Sequence, residues 1–255
     1  MTNLSVIIIA KNESTDIRAC LDSVRWADEI VVVDGGSRDD TVAICREYTD
    51  KVYICEDWSG FGPQKNRALS YATGEWVLSV DADERVSPAL RKEIEHAMVS
   101  ERFVGYEIPR RSSYCGRALR HGGWWPDHVL RLFKREQGLF CNRRVHEKVI
   151  MRGPLGRLQE PLIHETFGSL EEVLDKINSY SSEGAQLFYE QGKRGGLGAA
   201  LAHGLWAFIR TYFLKAGLLD GREGLMLAIS NAEGTYYRYL KLAYLPDRKE
   251  RSDSE

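Results

Sequence analysis

The sequence GEWVLSVDADE, residues 74–84, places an apolar run of strand-forming residues directly before two aspartates. The run from Trp76 to Val80 is typical of a strand that is buried on both faces, as the central strands of parallel sheets are. In parallel α/β sheets, ligands bind in the crevice beyond the carboxyl ends of the strands. We therefore expect Asp81 and Asp83 to leave the core at that end and to face a ligand.

Strand and helix patterns alternate on the N-terminal side of this segment. Leu4 to Ala10 is a run rich in β-branched residues, as a strand buried on both faces requires, and Ile17, Leu21 and Val24 follow it at helical spacing. Further strands are predicted at 29–37 and 51–55, and further helices at 41–45 and 64–72. This alternation predicts an α/β fold in which a mostly parallel sheet is flanked by helices.

Asp81 and Asp83 are two positions apart, so in extended geometry both side chains can point the same way. Two hard oxygen ligands on one side suit Mg²⁺ or Mn²⁺, which complete their shells with water and substrate phosphates. In a purely structural alternative, both acids cap the next helix, whose start is indicated by Ser87 and Pro88. The position of the acids at the end of an apolar strand favours the metal site.

Composition and charge exclude several classes of protein. The 255 residues are 43% hydrophobic and 28% charged, which is a globular composition, and the five cysteines form no CxxC pair. The net charge is -8 over residues 1–101 and +9 over 102–157, so the second block suggests an anionic partner or a solvated basic face. Nucleic acid is not expected, because no recognition motif is present and the acidic block would repel it. Neither GxGxxG nor a P-loop sequence occurs.

Four segments carry a resemblance to a known family: IIIAKNE, VVVDGGSRDDT, GFGPQKNRAL and GEWVLSVDADE, in this order. With PDHVLRLFKR, RRVHEKV and LIHETFGSLEEVL, the chain resembles family 2 glycosyltransferases of the GT-A (Rossmann-like) fold over about its first 180 residues. More narrowly, it resembles the lipopolysaccharide core β-glucosyltransferases that add a hexose to inner-core heptose. The resemblance implies a nucleotide-sugar donor and a divalent cation, Mg²⁺ or Mn²⁺.

The resemblance also implies roles for residues of the first half. Glu13 and Asp34 would contact the base and ribose of the donor, and Asp81 would reach the ribose or the metal. Asp83 would be the main metal ligand, completed by His164, which could instead touch the diphosphate. Residues that could bind the diphosphate or the donor sugar are Gln64, Lys65 and Asn66. For Lys65 and Asn66, an exposed helix start is the competing interpretation.

An inverting transferase needs a carboxylate that removes a proton from the acceptor hydroxyl. The Asp-bearing ED motif that serves this purpose in many family members is absent at the expected distance, and Val145-His146-Glu147 stands in its place. We expect Glu147 to be the base and His146 to tune or orient it; alternatively, the two form an exposed pair in a loop. Asp127 is a reserve candidate for the base.

Three further residues of the basic block are candidates for binding the acceptor or a phosphate. Arg131 offers a planar guanidinium that suits phosphate. Trp124 and Trp125 could stack on a sugar ring or could belong to the core, and the sequence does not separate these two interpretations.

The chain becomes helical after residue 168, so we predict a catalytic domain at 1–167 and a helical region at 168–255. Ser169 and Glu172 form a capping box. The apolar run from Leu197 to Leu214 is interrupted by His203 and Arg210 and is too short to span a bilayer. It could lie in the membrane interface, or it could pack on the catalytic domain or on a second subunit.

The function predicted from these features is an inverting transfer of a hexose, glucose from UDP-glucose, to a lipid-linked saccharide such as the lipopolysaccharide inner core. Transfer to another cell-envelope glycan or lipid carrier, or a non-catalytic role in binding nucleotide sugar or glycolipid, is the alternative. The N-terminus lacks the basic start and cleavage site of a signal peptide. We therefore expect a cytoplasmic protein that contacts the cytosolic face of the inner membrane peripherally.

Overall fold

The computed structural model describes residues 3–100, 102–141 and 148–252. Twelve strands are assigned in this part of the chain: β1 (Leu4–Ala10), β2 (Glu29–Asp34), β3 (Val52–Ile54), β4 (Trp76–Asp81), β5 (Glu84–Val86), β6 (Gly105–Tyr114), β7 (Arg117–Ala118), β8 (Asp127–Lys134), β9 (Gly138–Phe140), β10 (Val149–Met151), β11 (Leu155–Arg157) and β12 (Leu162–Phe167). The α-helices are α1 (Ile17–Val24), α2 (Thr41–Arg46), α3 (Phe61–Tyr71), α4 (Pro88–Val99), α5 (Leu170–Glu190), α6 (Leu197–Ile209) and α7 (Gly221–Ser252). A π-helical turn, Arg210–Leu214, continues α6.

The main sheet has the strand order β3-β2-β1-β4-β8-β6-β12-β5, and β7 and β11 pair with β6 off this path. Strands β3, β2, β1 and β4 are parallel, as predicted from the alternation of strands and helices. Beyond β4 the pairing becomes antiparallel, first with β8 and then between β8 and β6. The predicted α/β fold class is confirmed, with a mixed second half of the sheet and helices at the C-terminal end.

The parallel strands are buried on both faces because each face carries its own apolar layer. On one face, Ile17, Leu21 and Val24 of α1 pack in a cluster with Ile8. On the other face, α3 contributes Ala68 and Leu69 to a cluster that contains Ile7 and Ile9. Because neighbouring residues of β1 serve opposite layers, its sequence is apolar at every position except Ser5 rather than alternating. The strand predicted from LSVIIIA has the same bounds as β1.

Helix starts differ in how well the sequence predicted them. Helix α3 begins at Phe61 rather than at Gln64, since Pro63 lies in the first turn, where its missing N–H leaves no hydrogen bond unmade. Helix α4 begins after Ser87, whose Oγ accepts a hydrogen bond from Leu90 N–H at 3.1 Å. The alternative in which Asp81 and Asp83 cap this helix is therefore wrong.

The chain divides into two compact units. One consists of Met1–Arg111 with Asp127–His164, and the other of Ser112–Pro126 with Glu165–Glu255. This division differs from the predicted one in that residues 112–126 group with the helical region, and the later boundary falls at His164. No helix in the described part of the chain has both the length and the apolarity that a membrane crossing requires.

Candidate active site

The carboxyl ends of β2 and β4 lie on either side of β1. In the register of the sheet, Asp34 lies beside Ala10, and Asp81 lies beside Ile9. Paired residues of neighbouring strands share a face, and successive residues of one strand point to opposite faces. Ala10 and Ile9 belong to different apolar layers. Asp34 and Asp81 therefore leave the sheet on opposite faces, and these two strand-end acids do not form one cluster.

Asp34 is buried, and its carboxylate bonds within its own loop. Its Oδ1 accepts hydrogen bonds from the N–H groups of Gly36 at 2.9 Å and Ser37 at 2.8 Å, and its Oδ2 accepts one from the Ser37 hydroxyl. This Asx-type turn fixes the loop that follows β2. Glu13 is half-buried after β1, and its N–H donates to Thr41 Oγ1 at 2.8 Å. Contacts of Asp34 and Glu13 with the base and ribose stay predictions.

The start of α3 places Gln64, Lys65 and Asn66 in different surroundings. The Asn66 amide bonds at both ends to the backbone of Phe140, donating to its carbonyl and accepting from its N–H, each at 2.9 Å. Gln64 is buried and donates to the Cys55 carbonyl at 3.0 Å. Lys65 is buried as well, so the alternative of an exposed helix start is wrong for it. Two amides hold neighbouring segments in place, whereas Lys65 reaches the end of β4.

Asp81 is held between two buried cations. Lys65 Nζ lies 2.8 Å from its Oδ1, and Arg131 Nη2 donates to its Oδ2. Burial alone would raise the pKa of the Asp81 carboxyl, but the charges of Arg131 and Lys65 hold that pKa well below its ordinary value. Asp81 is therefore ionised at neutral pH, and both of its oxygens already have a cationic partner.

Glu84, which the sequence analysis did not select, completes this group. Its side chain is fully buried; Oε2 accepts from the Asp81 N–H at 2.9 Å, and Oε1 accepts from Arg131 Nη2 at 2.7 Å. Desolvation raises the pKa of Glu84, and the charge of Arg131 acts in the opposite direction. The signal in the sequence was the continuation of the acidic run by one more acid, DADE.

Arg131 is the centre of the charge network. Desolvation by itself would lower the pKa of its guanidinium, but Asp81 and Glu84 hold that pKa above the ordinary value. The network extends to Arg110, whose Nη1 lies 3.7 Å from Glu84 Oε1 and whose Nη2 lies 2.6 Å from Asp127 Oδ2. Cations and carboxylates thus alternate through the contacts of the network, in the order Lys65, Asp81, Arg131, Glu84, Arg110 and Asp127. Binding of a phosphate or acceptor by Arg131, and a role of Asp127 as reserve base, stay predictions.

Asp83 lies in a turn, Ala82-Asp83, that separates β4 from β5. The extended geometry expected for Asp81 and Asp83 is therefore wrong, and their side chains have different partners. Asp83 Oδ2 lies 3.2 Å from Nε2 of His164, a buried residue of β12. Strand β12 pairs with β5 so that His164 lies opposite Glu84. The turn after β4 and the pairing of β5 with β12 together bring the two predicted metal ligands into contact.

The pair formed by Asp83 and His164 suits a divalent cation. Adjacent ligands of an octahedral ion at about 2.1 Å lie about 3 Å apart, which is close to the observed 3.2 Å between the two side chains. Among the described residues there is no cluster of three or more His, Cys, Asp or Glu side chains arranged to hold a metal. The remaining ligands would therefore come from water and from the donor's phosphates, as is usual for Mg²⁺.

Two predicted residues lie outside the described part of the chain: His146 and Glu147. The tryptophans are in the second unit, where Trp124 is half-buried and packs at ring-centroid distances of 5.9 Å from Tyr114 and 6.1 Å from Phe167. Trp124 is thus part of an aromatic cluster. Trp125 is also half-buried, and its binding of acceptor stays a prediction.

Comparison with known proteins identifies the fold and the family. The fold is GT-A: a fragment of S. aureus TarS, crystallised in complex with UDP, superposes with a TM-score of 0.52 at 17% identity, covering 96% of this chain and 92% of that chain. The model of the family described as Glycosyl transferase family 2 matches residues 5–155. The chain belongs to glycosyltransferase family 2.

Two relatives extend along nearly the whole chain. An uncharacterized glycosyltransferase of Rickettsia prowazekii is 32% identical over 260 residues, which cover 97% of this chain and 88% of the relative. LpsC of Rhizobium meliloti, described as a lipopolysaccharide core biosynthesis glycosyltransferase, is 31% identical over 257 residues, which cover 96% of this chain and 92% of LpsC. The resemblance to family 2 glycosyltransferases found in the sequence is confirmed.

Proposed function

We propose that this family 2 glycosyltransferase moves a hexose, glucose from UDP-glucose, to a lipid-linked saccharide such as the lipopolysaccharide inner core, with inversion. The observation that carries the proposal is the contact of Asp83 with His164 beside the clamped Asp81 at the end of β4. A divalent ion held there would stabilise the negative charge that gathers on the departing diphosphate. The description of LpsC supports the saccharide, and UDP bound to TarS supports the donor.

The predicted site residues have separate roles in this proposal. Asp83 and His164 bind the metal, and Lys65 and Arg131 fix Asp81 so that its position does not depend on the ligand. Glu147 is the general base that takes the proton of the acceptor hydroxyl, with His146 as its neighbour. Lys65 also brings a buried positive charge near the diphosphate, on which negative charge develops during transfer.

The first prediction concerns donor turnover. Purified protein incubated with Mn²⁺ and a panel of nucleotide sugars should release the nucleotide from UDP-glucose at least tenfold faster than from other sugar nucleotides. Slow donor hydrolysis needs no acceptor, so this measurement does not depend on knowing the true one. Glu147→Gln should bind UDP-glucose as the wild type does and lose transfer.

Three outcomes would each count against one of these assignments. Binding of UDP-glucose without any hydrolysis or transfer, with every acceptor glycan tried, would favour the alternative of a non-catalytic binding protein. Wild-type turnover by Glu147→Gln would remove Glu147 as the base. Preference for another envelope glycan or lipid carrier over inner-core saccharide would leave the chemistry in place and change the acceptor.

We also propose that the second unit contacts an anionic membrane surface. Leu197, Leu201 and Leu205 recur at every fourth position of α6 and are 60%, 57% and 62% exposed. Trp206, Phe213 and Leu214 add exposed apolar area on the same segment, and Arg210 and Lys215 are exposed beside them. Apolar side chains flanked by cations are the pattern of interfacial helices on anionic lipid.

Vesicle sedimentation tests this contact. Wild-type protein should pellet with phosphatidylglycerol vesicles and much less with phosphatidylcholine vesicles. The double substitution Leu201→Gln and Leu205→Gln should weaken the binding at least tenfold, because burying one leucine contributes about 1.5 to 3 kcal/mol. Leu139→Gln, at a leucine of the first unit that is 58% exposed, is the matched control and should bind normally. Equal pelleting of the double variant and the control would refute the contact.

A further inference from the structure

The second unit contains a cavity of about 490 Å³. Its wall is formed by α5, α6, α7 and the π-helical turn, together with residues 122–124 and 166–167. This volume lies within the range of small-molecule binding pockets, roughly 300 to 1,000 Å³. All of its lining residues belong to the second unit, whereas Asp83 and His164 belong to the first.

Four cations line the cavity: Lys176, Arg210, Lys215 and Arg238. No aspartate or glutamate lines it, and in the described part of the chain none of the four cations forms an ion pair with a carboxylate. Lys176 donates to the Thr166 carbonyl at 3.3 Å and lies 4.9 Å from the centroid of the Phe167 ring, and neither partner carries a negative charge. A concave site with charges of one sign raises the local concentration of ligands of the opposite sign. The cavity is therefore suited to an anion.

Two glycines leave the space that two of these cations occupy. A Cβ at Gly123 would lie 2.2 Å from Lys215 Nζ, and one at Gly184 would lie 2.6 Å from Arg238 Nε. Gly123 has φ +86°, a conformation that favours glycine, and the neighbouring Gly122 N–H donates to the Lys215 carbonyl at 2.8 Å. The backbone at 122–123 thus holds Lys215 against the cavity wall.

The rest of the lining combines aromatic rings with uncharged polar groups. Tyr114 and Trp124 contribute rings, and Tyr114 Oη lies 2.8 Å from Ser230 Oγ. Asn231 Nδ2 donates to Thr211 Oγ1 at 3.2 Å. Hydroxyl and amide groups beside aromatic faces are the groups that bind a polyhydroxylated ring, and a purely ionic site for inorganic phosphate would not need them.

From these observations we infer that the cavity binds a phosphorylated saccharide, with the phosphate at Arg210 and Lys215 and the sugar ring against Trp124. Assigning this saccharide to the acceptor of the transfer rests on the proposed function; binding itself does not. Guanidinium and ammonium groups bind phosphate through charge-assisted hydrogen bonds. The inference gives the second unit a role in selecting acceptors that carry phosphate.

The test uses glucose 6-phosphate as the probe with the full-length protein, in the absence of donor and metal. Saturation-transfer NMR titrations should show binding of glucose 6-phosphate at least tenfold tighter than that of glucose or inorganic phosphate. The substitutions Arg210→Gln and Lys215→Gln should each weaken it about tenfold, because each removes a charge-assisted bond. Arg194→Gln, at an exposed arginine that does not line the cavity, is the matched control and should bind as the wild type does.

Several results would overturn the inference. Equal binding of glucose and glucose 6-phosphate would show that the phosphate does not contribute to binding. Equal binding of inorganic phosphate and glucose 6-phosphate would show that the sugar does not contribute. Binding of soluble glycerol 1-phosphate as tight as that of glucose 6-phosphate would assign the cavity to lipid headgroups. Unchanged binding by the double variant Arg210→Gln and Lys215→Gln, with wild-type circular dichroism, would place the probe elsewhere. Because the assay contains no donor, a failure of hexose transfer leaves its result unaffected.

Discussion

Replacing Arg131 by methionine is expected to lower the free energy of unfolding by about 3 to 5 kcal/mol, because the change leaves two carboxylates without their shared cation. Arg131 bonds both Asp81 and Glu84, and the Glu84 side chain is fully buried. Methionine has a similar length and fills much of the same volume, so the loss reflects charge rather than a cavity. Urea unfolding followed by circular dichroism measures it.

The loss should also depend on pH. In the wild type, Arg131 lowers the pKa of Asp81 and opposes the effect of burial on the pKa of Glu84. Burial already raises the pKa of Glu84, and without Arg131 this pKa rises further above its unfolded value, because Glu84 keeps only Arg110 at 3.7 Å, whereas Asp81 keeps its contact with Lys65. Folding of the variant therefore favours protonated Glu84. Such a group destabilises the fold progressively as pH rises through its pKa values in the unfolded and folded states. The stability difference between wild type and Arg131→Met should therefore be larger at pH 8 than at pH 5.

A surface arginine provides the control for this experiment. Arg91 pairs with Glu95 at 2.8 Å on α4 and is about half exposed. Arg91→Met should change the free energy of unfolding by no more than about 0.5 kcal/mol, since exposed ion pairs contribute little. Equal effects of the two substitutions would mean that the buried network does not depend on Arg131. An effect of Arg131→Met that does not change with pH would mean that the loss of stability does not arise from the buried carboxyls.

The sequence predicted the parallel half of the fold well because both faces of its strands are buried. In β1, six of the seven residues are apolar, Ser5 being the exception, and a short run rich in β-branched residues between polar segments indicates a buried strand. The antiparallel half was harder to predict from the sequence. Residues 112–126 group with the helical unit through long-range contacts, which a local pattern does not encode.

Within the candidate site, chain position indicated the acids but not their partners. The end of an apolar strand indicated Asp81. Asp83 and His164, both predicted as metal ligands, lie in contact, and their binding of a metal stays a prediction. The turn at Ala82 and Asp83, however, separates two side chains that an extended chain would have aligned. Glu84 was missed because a glutamate is rarely fully buried, and only its pairing with Arg131 makes this burial possible.

The cavity of the second unit shows a different limit of sequence reasoning. Trp124 was selected as either a sugar-stacking or a core residue, and it lines a cavity while packing in an aromatic cluster. Its cationic neighbours come from α5, from the π-helical turn and the residue after it, and from α7, which are separated along the chain. No local spacing brings Lys176, Arg210 and Arg238 together; only the packing of these helices does.

Replacing Asp83 by asparagine is expected to abolish metal-dependent donor binding and to lower hexose transfer by about three orders of magnitude. Asparagine keeps the shape of the side chain and removes its charge, so the ion loses its anionic protein ligand. A divalent ion contributes several kcal/mol to stabilising the charge on a leaving diphosphate, and about 4 kcal/mol corresponds to this change in rate. His164→Gln should weaken the ion less, because Asp83 keeps its charge.

Calorimetric titration of UDP with and without Mn²⁺ separates this effect from a loss of activity for other reasons. In the wild type, Mn²⁺ should strengthen UDP binding; in Asp83→Asn, the two titrations should coincide. Asp50→Asn, at an exposed acid away from the crevice, should behave as the wild type does. Mn²⁺-dependent UDP binding that persists in Asp83→Asn would mean that other residues hold the ion.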